Sequence, residues 1–129
     1  MSFRSICSAV LLCVLPSASW GGADTVADDH LRAWLLVGQR HPDEAIPILK
    51  SVIARAPEFT PAYATLAEAF GQKKARNEAE AYFGGLFRDP KRSALAHYAM
   101  GVFEEERGQV ARAVDHFTAC VQQRPQSAV

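Results

Sequence analysis

Cysteine is scarce in this chain. Three stand among 129 residues, at Cys7, Cys13 and Cys120, too few for the disulfide framework that supports many small exported domains. An excess of charge of either sign is also lacking. The 14 Lys and Arg balance 14 Asp and Glu, and without a basic face the chain has no footprint for nucleic acid. The longest run of like charge is Glu104 to Glu106, so there is neither a polybasic arm nor an acidic tail. No glycine-rich phosphate loop is present: Gly84-Gly85 follows Phe83 inside helical patterning and has the spacing of no nucleotide motif. No Ser or Cys nucleophile has a base at a recognisable spacing. About half of the residues are apolar (49%), enough for the packed core of one small domain.

The N-terminus reads separately from the rest. Met1 to Arg4 carries one positive charge, "ICSAVLLCVLP" follows from Ile6 to Pro16, and "SASWGGA" supplies small residues. This is the three-part pattern of a secretory signal peptide. Its apolar centre falls well short of the ~20 residues that span a bilayer as a helix. Cleavage is expected after Ser19 or Ala23, leaving a mature chain from about residue 24 with no stable membrane span. Cys7 and Cys13 leave with the segment, so Cys120 is the one cysteine of the mature chain, and the net charge falls to about −1 because Arg4 goes with it. The expected location is periplasmic or secreted. Without disulfides, stability there has to come from packing.

The rest of the chain repeats itself. Ala45, Ala79 and Ala113 are 34 residues apart, as are Leu49, Phe83 and Phe117, and Ile53, Phe87 and Val121. Val52, Leu86 and Cys120 keep the same interval, as do Ala33, Ala67 and Gly101. Several columns in one phase mark a repeat architecture. Each period divides into two helical segments. In the second, Pro57 ends the preceding helix, Thr60 is expected to cap a new one with Pro61 in its first turn, and Tyr63, Leu66, Ala67 and Phe70 form one stripe. "GQKK" is expected as the break, followed by a helix with Ala79, Phe83, Leu86 and Phe87 on one face, closed by Asp89-Pro90. The third period runs from about Ser93 to Arg124 with Gly108 at its turn. The first has a leading helix over 26–37 with Leu31, Trp34 and Leu35 on one side, ended by Gly38. His41-Pro42-Asp43-Glu44 opens its second helix, with acids that complement the helix dipole.

The small residues Ala67, Gly101, Ala79 and Ala113 let helices approach closely, and the aromatics Tyr63, Phe70, Phe83 and Phe117 fill the space between units. One such hairpin cannot bury its apolar face alone, so neighbours must stack. This unit resembles the tetratricopeptide repeat: an aromatic–x–x–Leu–Ala/Gly–x–x–aromatic leading helix, a following Ala–x–x–x–Phe and a closing proline. The second repeat carries it in Tyr63, Leu66, Ala67, Phe70, Ala79, Phe83, Leu86 and Pro90, and the third in Met100, Gly101, Gly108, Ala113, Phe117, Cys120 and Pro125. The first departs, with Asp29 and Arg32 where an aromatic and a leucine belong. The resemblance implies an all-α solenoid of three repeats, about 26–57, 58–90 and 91–125.

The chemistry-bearing side chains fit this frame. His97 and Glu104 stand two turns, ~10 Å, apart in the columns of Tyr63 and Phe70, and are expected to replace aromatics where burial is incomplete. His116 and Cys120 share a helix face, but a structural zinc needs four ligands. Cys120, in the column of Val52 and Leu86, reads as a small buried residue; His30 and His41 read as surface or capping positions. The expectation is no catalysis, metal or cofactor.

What the resemblance implies instead is a concave groove lined by the leading helices, taking a partner peptide or helix. Its columns place Trp34 from the first repeat, Ala64, Glu68 and Gln72 from the second, and Tyr98, Val102, Glu105 and Glu106 from the third in that groove. The Lys, Asn and Arg that grip a C-terminal carboxylate in other members are missing from these columns. With no polar helix after the third repeat, Phe103 and Tyr98 are expected to be partly uncovered, which points to self-association through that end. Two further readings stand beside the scaffold: the docking arm of a larger exported enzyme assembly, and a small metal-binding protein. Export has a direct check. The native protein should begin near Trp20 or Asp24 by N-terminal sequencing, and an intact Met1 would contradict it.

Overall fold

The structure, a computed structural model, describes residues 22–123. The N-terminal segment with Cys7, Cys13 and Ser19, and Pro125 at the other end, lie outside the described residues. Among those described, every regular element is a helix: α1 (Gly22–Gly38), α2 (Pro42–Arg55), α3 (Thr60–Lys73), α4 (Arg76–Leu86), α5 (Ser93–Glu106) and α6 (Val110–Gln123). They pair as three hairpins, α1/α2, α3/α4 and α5/α6, and the leading helices α1, α3 and α5 also pack side by side. The fold is an all-α, tetratricopeptide-like solenoid, and no helix among the described residues is long and apolar enough to cross a membrane.

The 34-residue period extends to the backbone of the turns. Arg40, Lys74 and Gly108 all have positive φ (66°, 56° and 77°), and each follows the end of a leading helix. In each turn the next amide reaches back five residues: His41 N–H to Leu36 O (2.8 Å), Ala75 N–H to Phe70 O (3.0 Å) and Gln109 N–H to Glu104 O (2.9 Å). This is the left-handed C-terminal cap that answers the orphan carbonyls of a helix end. α1 ends at Gly38 as expected, with Arg40 as the left-handed residue of the turn, whereas α3 carries "GQK" as helix, breaking only at Lys74. Thr60 is likewise inside α3 with Phe59 as its cap residue. The helix starts there without a side-chain cap, with Pro61 in the first turn.

The core runs through the middle of the stack. Tyr63, Leu66, Ala67 and Phe70 of α3 are fully buried, with Leu49 and Ile53 of α2, Phe83 of α4 and Phe103 of α5. Phe70 and Phe83 meet edge to face at 5.8 Å, a favoured geometry for aromatic pairs. The Tyr63 hydroxyl donates to Pro57 O at 2.6 Å, so its polar end is satisfied inside the core. Burial pushes the Tyr63 phenol up to about 12. Close approach of α5 and α6 depends on Gly101, where a Cβ would lie 2.6 Å from Cδ1 and 2.9 Å from Cζ of Phe117.

Leu31, Trp34 and Leu35 share one side of α1 and face solvent, and α1 packs through Val26, Ala33 and Val37, the side turned to α2 and α3. Several expectations need correction. His30 is half-buried between repeats rather than a cap: its ring meets Phe59, and Nε2 lies 2.9 Å from Thr65 Oγ1. Since the Thr65 hydroxyl donates to Pro61 O, the ring nitrogen is the donor. Cys120 is only partly buried. Phe103 is fully buried and Tyr98 half-buried. The Arg76 and Arg107 guanidinium carbons stand 5.3 and 5.0 Å from the centre of the Phe103 ring. The uncovered apolar surface at this end belongs to α6 instead. Gly84 and Gly85 have open space where a Cβ would be, so close approach does not explain them; α4 ends one residue later at Leu86, and they weaken that end.

Two substitution sets check this backbone reading by denaturant unfolding. Arg40→Gly and Lys74→Gly relieve a left-handed residue and should each stabilise by up to about 1 kcal/mol, while Gly108→Ala costs about as much. Gly101→Ala should cost about 1–3 kcal/mol, as overpacking does.

Candidate functional site

The C-terminal ends of the three leading helices converge on one face. Val37 and Gly38 of α1, Glu68, Gly71 and Gln72 of α3, and Glu106 of α5 line a cavity of about 510 Å³, with Arg40 and Arg107 from the turns at its rim. The period builds it: equivalent turns end each leading helix at the same height, so their last residues stand side by side. Gln72 joins two of the helices by donating from Nε2 to Val37 O at 2.9 Å, which leaves its buried Oε1 without a hydrogen bond. Glu106 reaches toward Gly71. A second hollow of about 320 Å³ adjoins through shared Val37, Gly38 and Glu68 and adds Trp34, Leu35 and Gln39. Trp34, 53% exposed, is thus an indole offered to solvent in the same hollow as Glu68.

Carboxylates cluster on this face, Glu68 and Glu105 beside Glu106, and the Arg40 and Arg107 guanidinium groups line the same cavity. Burial, with the Glu68 and then the Glu105 carboxylate nearby, raises the Glu106 pKa above its usual range. Glu106, with two further carboxylates near it, forms a surface suited to a cation.

The eight groove residues expected from the sequence divide. Glu68, Gln72 and Glu106 meet in the larger cavity and Trp34 in the adjoining one. Glu105 is exposed beside them. Ala64, Tyr98 and Val102 are half-buried; the last two pack against the core, and the Tyr98 ring lies 6.2 Å from that of Phe117. Arg40 and Arg107 were not anticipated. The repeat columns name leading-helix positions, whereas these two stand in the turns.

Away from the groove, at the seam of α4, α5 and α6, the structure brings together residues far apart in sequence. Glu104 is only 1% exposed, which corrects the expectation of incomplete burial. Its Oε1 accepts a hydrogen bond from Arg76 Nη1 at 2.6 Å. The missing signal was non-local: a glutamate in an aromatic column needs a counter-charge, and Arg76 supplies it from the first turn of the preceding trailing helix. His97 stacks on Phe87 with ring centres 3.9 Å apart, and its Nδ1 lies 3.2 Å from Nδ1 of His116. Burial, and then the neighbouring His116, lower the His97 pKa. Among the described residues no three His, Cys, Asp or Glu side chains converge as a metal-binding group.

Comparison with known proteins agrees with this architecture. No curated protein and no solved structure gave a significant match. A family model for the tetratricopeptide repeat matches residues 36–101. That stretch runs from the last turn of α1 through α2, α3 and α4 into α5, and it holds the most regular columns. It covers just over half of the chain, and the chain belongs to the tetratricopeptide repeat family.

Proposed function

We propose that this chain is an exported, non-enzymatic scaffold that binds a partner peptide or helix in the groove formed by its leading helices. Repeats of this family generally mediate protein–protein interaction. The observation that carries the reading is the continuous hollow at the ends of α1, α3 and α5, with Glu68, Gln72 and Glu106 at its floor and Trp34 at its edge. An exposed tryptophan beside a concave polar surface suits a binding anchor. The carboxylates clustered on the leading helices, Glu68, Glu105 and Glu106, favour a partner segment that is basic on one face and apolar on the other, with Arg40 and Arg107 set apart in the turns. Tyr98, Val102, Ala64 and Glu105 would form the wall through which such a segment extends along the leading helices.

A labelled amphipathic helical peptide with a Lys/Arg face tests this by fluorescence anisotropy. Binding should weaken with salt, and Glu68→Lys with Glu106→Lys should reduce affinity at least tenfold, about 1.4 kcal/mol. An acidic peptide binding equally well would contradict the reading. The pH dependence has a definite sign. Because Glu106 titrates above its unfolded value of 4.5, the folded chain holds the proton longer, and the charged form costs stability as pH rises through that window. A cationic partner expels the proton, so affinity should rise with pH across the window and level off above it. Without partner, Glu106→Gln should be slightly stabilising at pH 7 and lose that advantage near pH 4.

A second contact surface is favoured by α6. Val110, Val114 and Val121 are exposed (65%, 55% and 56%), and a shallow depression runs along Val114, Phe117 and Val121. One period earlier the same columns hold Arg76, Glu80 and Phe83 on α4 and Phe87 just past its end, on the side of the helix pair that packs against α5. The stripe is therefore shaped to receive another helix, and the reading is self-association of the chain through it. Sedimentation should show concentration-dependent association that Val114→Glu with Val121→Glu abolishes; a strictly monomeric parent protein would rule it out.

A further inference from the structure

Among the described residues, six large apolar side chains stand well exposed, and all six lie on the first or the last helix: Leu31, Trp34 and Leu35 on α1, and Val110, Val114 and Val121 on α6. Exposure confined to the two ends of a solenoid follows from its period. The column of Leu31 holds Thr65 and Ala99 in the later repeats, and that of Leu35 holds Ala69 and Phe103, all of them buried. The columns of Val114 and Val121 hold Ile46 and Ile53 in α2, both buried. These are packing columns, covered inside the stack and open only where it ends. Each repeat turns one face to the repeat before it and another to the repeat after it, so the two ends expose different faces.

The contacts between repeats show which columns meet. His30 of α1 reaches Thr65 of α3; the first of these columns ends in Tyr98 and the second begins in Leu31. Arg76 of α4 lies over the Phe103 ring and donates to Glu104; its column ends in Val110, and theirs begin in Leu35 and Leu36. Phe87 stacks on His97; Val121 ends the first column, and the second begins in Asp29, whose carboxylate is already paired with Arg32 and Arg55. A second copy set one period beyond the third repeat therefore brings Leu31 to Tyr98, and Leu35 and Leu36 to Val110. Where the internal seam pairs a guanidinium with a carboxylate, the two end faces are both apolar. The change is made on both sides at once, as complementary surfaces require. A contact between two copies of α6 would instead leave Leu31 and Leu35 uncovered. We propose that copies of this chain stack head to tail, α5 and α6 of one against α1 of the next, so that the solenoid continues from molecule to molecule. The proposal rests on the self-association read from α6 and names the surface that α6 meets. Such a contact is heterologous: each copy keeps one face free, and assembly does not close at two copies.

Sedimentation velocity of the full chain and of variants at each end tests the proposal. The parent should pass beyond the dimer as its concentration rises. Leu31→Glu with Leu35→Glu alters the α1 face, and Val110→Glu with Val114→Glu alters the α6 face; all four side chains are exposed. Each double variant should keep the helical circular dichroism and sediment as a monomer. Mixed in equal amounts, the two should form a dimer that grows no further, because each brings the face that the other lacks. An α1 variant that associates as the parent does, a parent that stops at the dimer, or a mixture that stays monomeric would overturn head-to-tail stacking while leaving self-association through α6 in place. A strictly monomeric parent would overturn both.

Discussion

The burial of α3 is the constraint on which the rest of the structure depends. Seven of its residues, Ala62, Tyr63, Thr65, Leu66, Ala67, Ala69 and Phe70, are buried, and they point around most of its circumference. A helix can be surrounded in this way only if small residues let its neighbours close in and large ones fill what is left. Ala62, Ala67 and Ala69 do the first; Tyr63, Leu66 and Phe70 do the second. Its neighbours α1, α2, α4 and α5 all pack against it, so the outer hairpins are organised by the central one. Since no disulfide is available among the described residues, this packing has to hold the stack.

The same constraint explains the groove. Three leading helices laid side by side, each ended by a left-handed residue at the same phase, bring Val37, Gly71, Gln72 and Glu106 to one level. The hollow between them is a consequence of the period. Its charge, carried by Glu68, Glu106, Arg40 and Arg107, is a property of the particular residues placed on it. A binding surface of this kind is rigid because its backbone is shared with the core, and rigidity lowers the ordering cost of association.

Much of this was legible in the sequence because the signal repeats. The columns Ala45/Ala79/Ala113 and Ala33/Ala67/Gly101 predict both the hairpins and the close approaches, and the structure places Gly101 against Phe117 as the small-residue column requires. The turns were less legible. Only Gly108 announces a left-handed residue; Arg40 and Lys74 adopt the same conformation without a glycine. Apolar residues stand on two sides of α1, and periodicity alone does not say which side meets α2. Glu104 was misread. Its burial depends on Arg76, from another helix, and the pairing of His97 with His116 depends likewise on how α5 and α6 meet. Columns reveal what repeats, whereas these contacts occur once, at the third repeat, where the chain departs from its own pattern.

The account rests most heavily on the claim that partners engage the face made by α1, α3 and α5. Photo-crosslinking in cells addresses it most directly, with a photoreactive amino acid placed singly at Trp34 or Glu105 on that face, or at Ser51 or Ala81, exposed on the trailing helices. Adducts to one discrete protein should form from Trp34 and Glu105 and be absent from Ser51 and Ala81. Adducts formed from Ser51 or Ala81 alone, with Trp34 and Glu105 silent, would contradict the account.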